Sequence, residues 1–70
     1  MPREQVEEYI EAIFDIAGKN GTAKTTDVAK RLQNAPASVT EVFRSLADSG
    51  LVRYEPYRGA TLTEKGLSSA

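Results

Sequence analysis

Four acidic residues near the start of the chain, Glu4, Glu8, Glu11 and Asp15, follow one another at spacings of four, three and four. On a helix this places them along one face, where the carboxylates of Glu8 and Glu11 can share a divalent cation; unshared, like charges so placed repel by roughly 0.2–0.5 kcal/mol per pair. The same residues also suit a solvated face, because carboxylates near a helix N-terminus complement its dipole. A second set is basic and aromatic: Arg53, Tyr57 and Arg58 in and beside "YEPYRG", with Lys24, Lys30, Arg31 and Arg44 elsewhere. Guanidinium and ammonium groups of this kind suit phosphate. The third set is "APASVTE", in which Ala35, Ala37 and Ser38 open a helix with almost no side chain, followed by Thr40 and Glu41. Small residues there let a large partner approach the backbone. Alanine methyls match the thymine methyl, hydroxyls match bases or phosphates, and Glu41, which would repel phosphate, can accept from cytosine N4.

Composition narrows the chemistry. The chain has no cysteine and no histidine, so disulfides and thiolate metal sites are excluded and the commonest general base and metal ligand are missing. There is no phosphate-cradling glycine loop, and 70 residues leave little room for a substrate pocket, so an enzyme is not expected. Formal net charge is −1, which gives no global field for nucleic acid; DNA binding must rest on local clusters of Lys and Arg. No apolar run approaches the ~20 residues of a membrane span and no signal-peptide pattern is present. The expectation is a cytoplasmic protein with no membrane partner.

The elements that position these residues follow from hydrophobic spacing. Val6, Tyr9, Ile10, Ile13, Phe14 and Ala17 form one apolar face of a first helix over residues 4–17, ended by Gly18 and the following "KNG". "TAKT" suits only a stub of strand. Thr26 suits the N-cap of a short second helix with Val28, Ala29 and Leu32 inward. "QNA" makes a turn, Pro36 suits the first turn of a third helix, and that helix buries Val39, Val42, Phe43 and Leu46 before Gly50. "LVRYE" and "ATLT" then flank "PYRG", a hairpin in which Pro56 takes the second turn position and Gly59 a positive φ. Thr63 can cap a last, unfinished helix.

The predicted fold is therefore α+β and mostly α, a winged helix-turn-helix of three helices plus a two-stranded β-hairpin wing over residues 1–70. In such a fold the third helix enters the DNA major groove by its N-terminal residues. That assigns Ala35, Ala37, Ser38, Thr40 and Glu41 to the groove face, and Arg44, Arg53, Tyr57, Arg58, Lys24 and Thr26 to further DNA contacts. The apolar positions are expected to be used up by one small core, leaving no surface for dimerisation.

The segments "VEEYIEAIF", "TTDVAKRL" and "PASVTEVFRSLADSGLVRYEPYRGATLTEKG" together resemble the N-terminal DNA-binding domain of the diphtheria-toxin-repressor family, metal-dependent transcriptional repressors of iron and manganese homeostasis. The likeness runs from about Val6 to Gly66. It implies base-facing residues at Ala35, Ala37, Ser38 and Glu41, with Glu41 standing where Lys or Gln is expected. It also implies that Glu8 and Glu11 are first-helix metal ligands of the manganese-type branch. The family's remaining ligands, including histidines, lie in a helical dimerisation domain expected to fall outside residues 1–70, which are read either as an excised DNA-binding domain or as a stand-alone short relative. A divalent metal, manganese or iron, is thus expected in a full-length parent and not in this fragment. The expected partners are double-stranded operator DNA and a second copy held through the missing C-terminal domain. A winged helix that binds protein instead of DNA is the alternative, favoured by the net charge and by the acidic first helix.

Overall fold

The computed structural model describes residues 3–69. Helix α1 spans Arg3–Asn20, α2 Thr25–Leu32 and α3 Pro36–Asp48; strands β1, Val52–Glu55, and β2, Gly59–Leu62, form an antiparallel hairpin, and α4 spans Glu64–Ser69. The winged helix-turn-helix is present, and α4 is the short last helix that Thr63 was expected to cap.

The core is the meeting of the three apolar stripes with the hairpin's inner face. Tyr9 and Ile13 of α1, Val28 and Ala29 of α2, and Val39, Val42, Phe43 and Leu46 of α3 pack with Val52 and Ala60 of the hairpin. Phe43 and Tyr54 are tilted against each other with centroids 5.6 Å apart, a favoured aromatic geometry. The base of the wing is therefore packed directly onto α3.

Three expectations change. First, α1 runs through Gly18 to Asn20; the Gly21 amide still bonds the Ala17 carbonyl at 2.7 Å, so a single helical glycine weakens the helix without ending it. Second, Thr26 is not the N-cap of α2. Lys24 holds that position, without a side-chain cap bond, because the chain enters straight from a backbone bridge at Ala23. Third, Phe14 is 54% exposed. It lines an open, mostly apolar groove of about 290 Å³ with Ala17, Leu62 and Leu67. The core closes without Phe14, since α4 covers only part of the outer side of α1, and an apolar surface remains.

The α2–α3 turn hinges on Gln33, which is left-handed at φ 56°, ψ 42°, with the Asn34 amide bonded to the Ala29 carbonyl at 3.0 Å. At the other end of α3, Thr63 fastens α4 in place. Its hydroxyl donates to the Gly50 carbonyl at 2.6 Å and accepts the Gly66 amide at 3.1 Å. Gly66 is buried here, and a Cβ on it would stand 2.0 Å from the Leu51 carbonyl oxygen. Only glycine lets α4 lie so close to the chain leaving α3.

Candidate nucleic-acid interface

Helix α3 separates cleanly into two faces. Val39, Val42, Phe43 and Leu46 are buried, whereas Ala35, Pro36, Ala37, Ser38, Glu41 and Arg44 are exposed. The exposed set begins at the N-terminal turn, where Ala35 is the cap residue and Pro36 follows it. Proline there forfeits no helical bond, since its N–H would be unsatisfied in any case. The Thr40 hydroxyl donates to the Pro36 carbonyl at 3.1 Å, which leaves its oxygen free only as an acceptor. Thr40 is also half-buried. Ser38 keeps both functions, with no hydrogen bond to any described residue. The turn ahead of α3 is pinned from α1: Asn34 Nδ2 donates to the Tyr9 hydroxyl at 3.0 Å. No local pattern announces that contact, because its partners lie 25 residues apart.

On the wing, Glu55 faces Gly59 and Arg53 faces Thr61 across the hairpin. Arg53 points outward and Tyr57 is 99% exposed at the turn. The Arg58 amide bonds the Glu55 carbonyl at 3.0 Å, closing the turn, and Arg58 Nε lies 3.7 Å from the Glu55 carboxylate. Lys24 and Thr26, from the start of α2, share one groove of about 190 Å³ with Tyr57 and Arg58. Thr25 lines it too. The sequence pattern did not single out Thr25, since only the helix start two residues earlier than expected places it beside the wing. Arg31 is committed elsewhere: its Nη2 donates to Asp15 Oδ2 at 2.7 Å, an exposed pair worth ~0–1 kcal/mol that ties α2 to α1.

That pair also divides the acidic stripe of α1. Glu8 and Glu11 are exposed, without an ion-pair partner among the described residues, and line a groove of about 320 Å³ with Arg31 and Gln33. Asp15 is occupied by Arg31. Among the described residues, no group of three or more His, Cys, Asp and Glu comes together. Two carboxylates beside a guanidinium make a partial donor set, short of the oxygen- or nitrogen-rich shells that manganese and iron take. Among the described residues, no helix is long and apolar enough to cross a membrane.

The chain is similar to known proteins over nearly its whole length. Residues 1–60 match the family described as iron-dependent repressor, N-terminal DNA-binding domain. An uncharacterized HTH-type transcriptional regulator of Methanocaldococcus jannaschii is 44% identical over 68 residues, which cover 96% of this chain and 54% of that protein. The HTH-type transcriptional regulator MntR of Lysinibacillus sphaericus is 41% identical over 66 residues, covering 94% of this chain and 48% of the relative. MntR of Shouchella clausii is 39% identical, with 94% and 46% covered. The crystal structure of a hypothetical protein from Sulfolobus solfataricus superposes with a TM-score of 0.85 at 30% identity, over 99% of this chain and 52% of that one. The chain thus spans about half the length of the relatives it matches. By its matched domain, its relatives among transcriptional regulators and its winged fold, the chain belongs to the iron-dependent-repressor family of metal-dependent, helix-turn-helix DNA-binding repressors.

Proposed function

We propose that residues 1–70 are the sequence-specific DNA-binding module of a metal-dependent repressor, with α3 in the major groove and the wing on the phosphate backbone. The observation that carries this reading is the N-terminal half of α3. It exposes Ala35, Ala37, Ser38 and Glu41 while its opposite side is fully committed to the core. Such a surface offers close backbone approach and two kinds of hydrogen-bonding group, as base-edge readout requires. Arg44 on α3, Arg53, Tyr57 and Arg58 on the wing, and Lys24 and Thr26 on α2 supply the backbone contacts that set register.

Glu8 and Glu11 contribute two carboxylates to a regulatory site for manganese or iron. That site is completed by the half of the protein that the relatives carry beyond the matched region, and the same half joins two copies so that both half-sites of an operator are read. If the paired substitution Glu8→Ala with Glu11→Ala leaves Mn²⁺ binding by the full-length protein unchanged in calorimetry, these glutamates are only a solvated face.

Duplex binding measured against salt tests the main reading. Counterion release predicts a linear fall of log K with log salt, at a slope of about −0.9 per phosphate contacted. Ser38→Ala is expected to change discrimination at one operator position by ~1 kcal/mol or more. No duplex binding at low salt would give preference to a protein-binding winged helix, for which the acidic face of α1 would be the contact surface.

A further inference from the structure

The groove shared by α2 and the wing is built from two segments distant in sequence and joined by a backbone bridge. The Ala23 amide donates to the Ala60 carbonyl at 2.9 Å, and the Ala60 amide returns the bond to the Ala23 carbonyl at 2.9 Å. Both alanines are fully buried. Gly59, next to this bridge, is also buried and sits at φ +111°, where a Cβ would lie 2.3 Å from the Ala23 carbonyl oxygen. Any other residue would force the hairpin away from the segment that leads into α2. The bridge fixes the side chains beside it. Lys24 follows Ala23 directly, Arg58 precedes Gly59, and both line the groove with Thr25, Thr26 and Tyr57. Neither threonine hydroxyl has a hydrogen-bond partner among the described residues. The one acidic group at the wing turn is Glu55, 3.7 Å from Arg58 Nε, while Asp27 lies in the first turn of α2.

We infer that this groove binds a single phosphate of the DNA backbone, gripped from one side by Lys24 and from the other by Arg58, with Gly59 and Ala23 as positioning residues. The inference rests on the DNA-binding reading above and adds that the helix start and the wing act on one phosphate, not on two. Two cations so placed neutralise one charge between them. The counterions released are set by the number of phosphates neutralised, so the two arrangements differ in salt dependence.

The experiment is duplex binding by the whole 70-residue chain over a range of salt, for Lys24→Ala, Arg58→Ala and the double variant. Both side chains are exposed, so folding is not at stake. A shared phosphate predicts that each single variant binds several-fold more weakly at nearly unchanged slope, and that the double variant loses about 0.9 of slope. Two separate phosphates predict a loss of about 0.9 for each single variant and about 1.8 for the double one, a result that overturns the shared site. Unchanged affinity in the double variant overturns it as well. Combining Lys24→Ala with Arg44→Ala is the control, since Arg44 does not line the groove, and these effects should add. Gly59→Ala tests the positioning role: its circular dichroism should stay helical, and Lys24→Ala in that background should by itself remove about 0.9 of slope, because the wing no longer shares the phosphate. If Gly59→Ala does not fold, the Lys24–Arg58 comparison alone decides. Absence of any duplex binding by the unsubstituted chain would sink the DNA reading itself, a distinguishable failure.

Discussion

Replacing Thr63 by valine keeps the shape of the side chain and removes one hydroxyl. In the fold that hydroxyl serves two helices at once. It donates to the Gly50 carbonyl at 2.6 Å, just past the end of α3, and it accepts the Gly66 amide at 3.1 Å as the cap of α4. The Thr63 amide would still bond the Leu51 carbonyl at 3.1 Å, so the chain would keep one tether. Loss of a side-chain cap costs ~1 kcal/mol, and loss of a hydrogen bond to backbone about another. Gly50 is exposed, so water can re-solvate its carbonyl and no full burial penalty is added. The expected destabilisation is therefore about 2 kcal/mol, against a total near 4–10 kcal/mol for a domain of this length at ~0.05–0.15 kcal/mol per residue. At about 4–8 °C per kcal/mol for a domain of this size, the Tm should fall by roughly 8–16 °C. Thermal and urea melts followed by far-ultraviolet circular dichroism would measure this, with Thr63→Ser as the rescue that restores the hydroxyl. A Tm for Thr63→Val within a degree or two of the unsubstituted protein would refute the assignment of Thr63 as the fastening between α3 and α4.

Three further substitutions test the turn and the core. Gln33→Gly removes the strain of a left-handed non-glycine residue (φ 56°); set against the extra unfolded-state entropy of glycine, it should stabilise the domain by ~0.5–1 kcal/mol, and a lower urea midpoint would show that the turn relies on the glutamine side chain. Phe43→Ala should cost ~3–5 kcal/mol, enough to leave much of the population unfolded, because Phe43 is fully buried. Phe14→Ala should cost under ~1.5 kcal/mol, since its ring is about half exposed; equal losses for the two in urea melts would mean that Phe14 belongs to the core.

Local signals carried the architecture. The three-and-four spacing of Val39, Val42, Phe43 and Leu46 leaves α3 one way to face the core, and it thereby exposes Ala37, Ser38 and Glu41 without any knowledge of the rest of the fold. Pro36 at the start of α3 and the β-rich runs around "PYRG" are equally local, because a proline in the first helical turn and a tight hairpin turn meet φ and N–H demands of a few neighbouring residues. The family likeness, carried by "PASVTEVFRSLADSGLVRYEPYRGATLTEKG", was legible for the same reason: its residues are contiguous.

Tertiary structure decided what depends on partners far apart in the chain. The apolar period of α1 includes Phe14, yet whether that ring is covered depends on how much of α1 the short helix α4 overlies, and Phe14 stays out. Thr26 has the chemistry of a cap, but the Ala23–Ala60 bridge sets where α2 begins and moves the cap to Lys24. A run of carboxylates reads as one acidic stripe until Arg31, 16 residues from Asp15, takes that end of it. Gly59 reads as a turn residue in the sequence, and nothing there marks Gly66 as a packing position. Their buried positions come from backbone carbonyls of Ala23 and Leu51 standing where a Cβ would be. Spacing within one element reports which side chains share a face, because helix and strand geometry is local; what meets that face is set by the packing of elements against one another, which no single stretch of sequence contains.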